Sequence, residues 1–133
     1  MRRNVVPALA LTAVLLVGAP AAAHHSFAMF DSSKVTTLRG TVKEFRWVNP
    51  HVALFVKIDG SDAPDKLWAV ELTSPSNLKR RGWSRTTLKP GDRVAVEVNP
   101  LRDGKHGGGF VRATLVDTGR VLGGSLIEAE RKP

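Results

Sequence analysis

In residues 52–58 and 94–99 every second side chain is a branched aliphatic one, and that period of two restricts the fold more than any other feature of the chain. Val52, Leu54, Val56 and Ile58 oppose His51, Ala53, Phe55 and Lys57, while Val94, Val96 and Val98 oppose Ala95, Glu97 and Asn99. Such alternation describes a strand with one buried face and one wetter face. Strand signals of β-branched and aromatic residues bounded by turn residues recur along the chain. Together they predict five strands over 38–48, 52–59, 67–72, 93–99 and 110–116.

The first strand changes parity. Leu38 and Val42 share a face, but Phe45 and Trp47 fall on the other. A bulge near Lys43-Glu44 reconciles them, with Gly40 easing the bend, and a small closed barrel needs a first strand bent in this way. One short helix fits between strands three and four. Ser74 caps it, Pro75 suits its first position, Lys79, Arg80 and Arg81 complement its C-terminal dipole, and Gly82 ends it. Lys89-Pro90-Gly91-Asp92 then turns the chain into strand four. Three strands, a helix and two strands is the order of an all-β, five-stranded OB-fold-like Greek-key barrel. A sandwich of the same strand count has the same pattern.

Ahead of the barrel, Arg2 and Arg3 precede an apolar stretch from Val5 to Val17. Gly18-Ala19-Pro20 breaks it, and Ala21-Ala22-Ala23 reads as an export cleavage site. The stretch is too short for a comfortable membrane span. The expected division is therefore a signal peptide at 1–23, an N-terminal arm at 24–36 packing through Phe27, Met29 and Phe30, the barrel at 37–122, and a C-terminal tail at 123–133. This predicts a periplasmic protein that is not integral to the membrane once cut. With no cysteine in the sequence, the core holds the fold without disulfides. Beyond the signal segment, 18 Lys and Arg face 12 Asp and Glu, a net charge of +6. Outside the cytosol that charge suits an exported partner protein or an anionic cell-envelope component rather than nucleic acid.

HHSFAMFD (24–31), GTVKEFRWVNPH (40–51), the Trp68–Glu71–Pro75 spacing, RGW (81–83) and LKPGD (88–92) occur together in this chain. In these segments the chain resembles a family of small exported bacterial proteins of unknown function. The resemblance implies a periplasmic single domain and brings no activity or catalytic residue with it.

Function must then be read from individual side chains. OB-folds bind ligands on the face of strands two and three and the adjoining loops. On that face Trp47, His51, Phe55 and Glu71 are the candidate groove residues, with His51 placed at the mouth of strand two by Asn49-Pro50. The plainer role for Trp47 is core packing, and for His51 a bond to a nearby backbone carbonyl. His24, His25 and His51 are the candidate metal ligands. A cut before His24 would join its α-amine to its imidazole in a chelate that suits Cu(II), so copper is the possible cofactor. His106 lies in the glycine-rich stretch 103–109, read as a flexible connection between strands four and five. Lys79, Arg80, Arg81 and Arg85 form a basic group at the helix end. No nucleophile elbow surrounds a serine, and nothing sets two of Glu44, Glu71 and Glu97 across a substrate, so a non-enzyme is expected. Two function classes follow: an exported OB-fold-like binding or adaptor module, or a periplasmic copper carrier or sensor.

Overall fold

The structure, a computed structural model, describes residues 27–60 and 66–131. The first strand, β1 (Thr36–Arg46), is long enough to serve two neighbours. It pairs antiparallel with β2 (Ala53–Ile58) through Gly40↔Ile58 to Arg46↔Ala53, and with β4 (Arg93–Pro100) through Thr36↔Val98 to Thr41↔Arg93. Gly40 lies where the two pairings overlap. A Cβ there would run into the Lys57 carbonyl oxygen and lie 3.0 Å from Val56 Cγ1, so only glycine lets the strands close up.

The expected bulge falls at Lys43, where the β1–β2 register shifts between Val42 and Glu44. It reverses the parity of everything after it. Leu38 and Val42 point inward before the bulge and Trp47 after it, leaving Arg46 and Val48 outside. A second register shift lies between Glu97 and Val98, where β4 runs against β5 (Gly107–Leu115).

Closure comes from β3 (Leu67–Glu71), which pairs antiparallel with β2 and parallel with β5 through Ala69↔Gly107 to Glu71↔Gly109. The ring β1–β2–β3–β5–β4 is thus a closed five-stranded barrel with OB-fold connectivity. Its interior is filled by fully buried Leu54, Val56, Leu72, Val96, Val98 and Phe110. Each such side chain contributes about 1.5–3 kcal/mol. That core carries the fold, since no cysteine is available to brace it.

The helix between β3 and β4 is α1 (Pro75–Arg80). The Ser74 hydroxyl accepts from the Asn77 amide at 3.3 Å, and Pro75 occupies the first turn. At its other end Trp83 N donates to Leu78 O at 3.1 Å and Gly82 N to Lys79 O at 3.0 Å, with Gly82 at φ +83°. These two bonds form a Schellman stop, and its apolar pair is buried Leu78 with buried Trp83.

Two stretches read differently in space. Gly107–Gly109 is not a flexible connection: it is the first part of β5 and the barrel's closing seam. A Cβ on Gly108 would lie 2.8 Å from Asn99 O and 2.9 Å from Val98 Cβ, so at Gly108 the seam has no room for a side chain. The segment expected as a C-terminal tail begins within β6 (Val121–Gly123), which pairs with β5, and continues into α2 (Leu126–Arg131), which packs on β5 with Leu126 fully buried. Trp83 Nε1 donates to Gly123 O at 2.9 Å and ties this end to α1.

Candidate functional site

The backbone sets His51 beside Glu71 before any side chain is considered. Val52 N donates to Thr73 O at 3.2 Å and Leu72 N to Val52 O at 2.8 Å, extending the β2–β3 ladder beyond both strands. Ala53 pairs with Glu71, and His51, two residues earlier, shares the outer face of Ala53. There His51 Nδ1 and Glu71 Oε1 are hydrogen-bonded, with the two side chains 23% and 31% exposed. The carboxylate accepts from Nδ1–H and so selects the ring tautomer. The Asn49–Pro50 peptide just before is cis.

This pair sits in a groove of about 650 Å³. One wall is the β1–β2 connection, with Val48, Asn49 and Pro50. The opposite wall is the β4–β5 connection, with Leu101, Lys105 and His106. Ala53, Ala69 and the glycines of β5 lie between them, and Met29 and Phe30 of the arm line the groove as well. These are the loops and strands with which OB-folds hold their ligands. Met29 and Val48 leave about half of their surface exposed, at 47% and 45%, so the rim is apolar as well as open.

The arm reaches the groove by pairing with the β4–β5 connection. Phe30 bridges Leu101 and is buried, Asp31 N donates to Pro100 O at 2.8 Å, and Arg102 N to Met29 O at 2.9 Å. Buried Asn99 holds Lys34 O through Nδ2 at 2.7 Å. Phe27, where the described chain begins, packs its ring 6.0 Å from that of His51. The Asp31 carboxyl is held below its ordinary value chiefly by the Ser33 hydroxyl, with Lys34 acting the same way.

Of the four candidate groove residues, His51 and Glu71 come together and line the groove. Trp47 does not: it is 7% exposed and packs in the core, with Phe45 edge-on at 5.8 Å. The bulge at Lys43 is the reason, because it turns Trp47 inward. Phe55 is half-buried and carries the Arg46 guanidinium over its ring at 4.9 Å. Arg46 in turn is paired with Glu44 at 2.9 Å. Arg46 and Val48 are groove residues that the sequence reading passed over, although the same parity reversal that takes Trp47 inside brings them out. Leu101 and Lys105 had no signal of their own, since the pairing of arm and loop brings them there.

Among the candidate metal ligands, His24 and His25 lie outside the described residues. No three His, Asp or Glu of the described residues are grouped to hold a metal ion. His106 stacks on Trp68, with centroids 5.4 Å apart and planes 16° from parallel. The basic group at the end of α1 is exposed. Arg80 donates to Asn77 Oδ1, and Arg85 to Trp47 O at 3.3 Å.

The chain belongs to a family of unknown function, DUF6152, whose model matches residues 12–110. No curated protein and no solved structure matches it.

Proposed function

We propose that this member of the family is an exported, non-enzymatic binding or adaptor module of the periplasm. Its groove would receive a segment of a partner protein or an anionic cell-envelope ligand. The observation that carries this reading is the position of the groove. It opens between the β1–β2 and β4–β5 connections over β2 and β3, where OB-folds bind, and its lips are the exposed apolar side chains Met29 and Val48. Lys105, on the wall, suits an anionic group at the ligand's end.

Export is supported by the charged start, the apolar stretch and the Ala21-Ala22-Ala23 site. It is tested by the intact mass of the protein recovered from the periplasm.

The binding reading is tested by photo-crosslinking in the cell from two exposed positions, Val48 on the groove lip and Val121 in β6. A discrete adduct from position 48 and none from 121 is the expected result. Equal adducts from both, or none from 48, would remove the groove from consideration.

A further inference from the structure

We infer that the segment running from α1 towards β4 is a second interaction surface, which docks the protein on an anionic phospholipid bilayer through Lys79, Arg80, Arg81 and Arg85. This surface is distinct from the groove and does not depend on the groove's ligand.

The first support is an imbalance of charge. Residues 72–91 carry five cations, Lys79, Arg80, Arg81, Arg85 and Lys89, and no Asp or Glu. All five are exposed. Of the carboxylates that border the segment in sequence, Glu71 is bonded to His51, and Asp92 accepts from Lys89 N at 2.8 Å. Asp117 shares a small hollow with Lys89. Lys79, Arg80, Arg81 and Arg85 have no ion pair among the described residues, so their charge is uncompensated.

The second support is the way the segment is fixed. Its large apolar side chains, Leu72, Leu78, Trp83 and Leu88, are all buried, so the chain is pinned to the core and turns its charged residues outward. Arg80 donates to Asn77 Oδ1, and Arg85 Nη1 to Trp47 O at 3.3 Å. Arg81 runs its stem past Gly124, where a Cβ would touch Arg81 Cδ at 3.4 Å. The guanidinium groups are thus held in place before a partner arrives, which reduces the side-chain entropy lost on binding.

The character of the surface selects the partner. Protein interfaces are depleted of charge at their centre and enriched there in aromatic side chains. None of the exposed large apolar side chains falls within 72–91. A headgroup layer requires none: it offers a plane of phosphate anions, which the planar guanidinium fork pairs bidentately. Each Lys or Arg brought to such a surface strengthens binding about fivefold.

The test is cosedimentation of the purified protein, its N-terminus established by intact mass, with phosphatidylcholine vesicles that are either neutral or carry phosphatidylglycerol. Binding is expected on the anionic vesicles alone in about 0.1 M salt, and should fade towards about 0.5 M as screening shortens. Arg80→Gln with Arg81→Gln is expected to weaken it about 30-fold. Arg39→Gln with Lys66→Gln removes the same charge from β1 and from just ahead of β3, and should weaken it less than about threefold, since charges beyond a Debye length are screened. All variants share one N-terminus, so any contribution of the apolar stretch at 5–17 is common to them, and urea midpoints show that each stays folded. Equal weakening by the two pairs would reduce the effect to net charge and overturn the surface. Equal binding to neutral vesicles would do the same. Binding of soluble polyphosphate without binding of anionic vesicles would make the occupant a polyanion other than a bilayer and overturn the docking. Crosslinking from position 48 is read separately, so failure of this surface and failure of the groove reading are distinguishable.

Discussion

His51 and Glu71 are twenty residues apart in sequence and joined by an Nδ1–Oε1 hydrogen bond at the point where β2 and β3 leave the barrel. The ladder places them: the Val52 backbone exchanges hydrogen bonds with Leu72 and Thr73, so the two side chains emerge on one face. The bond determines which nitrogen of the ring carries the proton, and with it the chemistry that the ring presents.

Neutral His51 is therefore expected as the Nδ1–H tautomer, and Glu71→Ala should shift it toward Nε2–H. Nitrogen NMR of the ring at alkaline pH reads the change directly. Because both groups are partly exposed, the accompanying stability loss should be only about 1 kcal/mol. A tautomer indifferent to the substitution would show that Glu71 does not orient the ring.

Gly40→Ala should be far more damaging than its single methyl suggests. The new Cβ would meet the Lys57 carbonyl oxygen, which is backbone held in the β1–β2 ladder and unable to swing aside. About 3 kcal/mol or more of stability should be lost, measured as a fall in urea midpoint. A loss below about 1 kcal/mol would mean that the strands separate at little cost.

The regular parts of this fold were legible because side-chain alternation reports burial directly. Val52 to Ile58 and Val94 to Val98 alternate as the barrel wall requires, and Ser74, Pro75 and Gly82 each occupy the helix position that their chemistry suits. Gly107–Gly109 was opaque for the opposite reason. Residues without side chains have no periodicity, and the parallel β3–β5 pairing joins segments almost forty residues apart without a local turn to announce it. The site was half legible. His51 and Glu71 share a face that alternation predicts, whereas Met29 and Leu101 reach the groove through the bridge between Phe30 and Leu101, a pairing between distant segments.

Trp47 and Phe55 should separate the core from the outer face of β2. Trp47→Ala removes a buried ring packed on Phe45 and should cost about 3–5 kcal/mol. Phe55→Ala removes a half-buried ring that is covered by Arg46 and should cost about 1–2 kcal/mol, with the fold intact. Denaturant unfolding of both variants measures the contrast. Equal losses would mean that Phe55 belongs to the core and that the outer face of β2 is not a surface.

Acid should loosen the arm through Asp31. The Ser33 hydroxyl, and behind it Lys34, hold this carboxyl below its ordinary value of 3.8. A carboxyl whose folded value is depressed stabilises the folded state above its unfolded value, and the contribution disappears as the pH falls through the folded value. The arm's anchorage should therefore persist unchanged down to about pH 4 and weaken only below it. Ser33→Ala removes the larger cause, so Asp31 should titrate nearer to 3.8 and the acid loss should shrink. Carbon NMR of the Asp31 carboxyl gives the titration, and exchange of the Arg102 amide, bonded to Met29 O, reports the anchorage. If Asp31 in the unmodified protein titrates at or above 3.8, the Ser33 bond does not hold in solution, and the approach of Phe27 to His51 must rest on Phe30 and Asn99 instead.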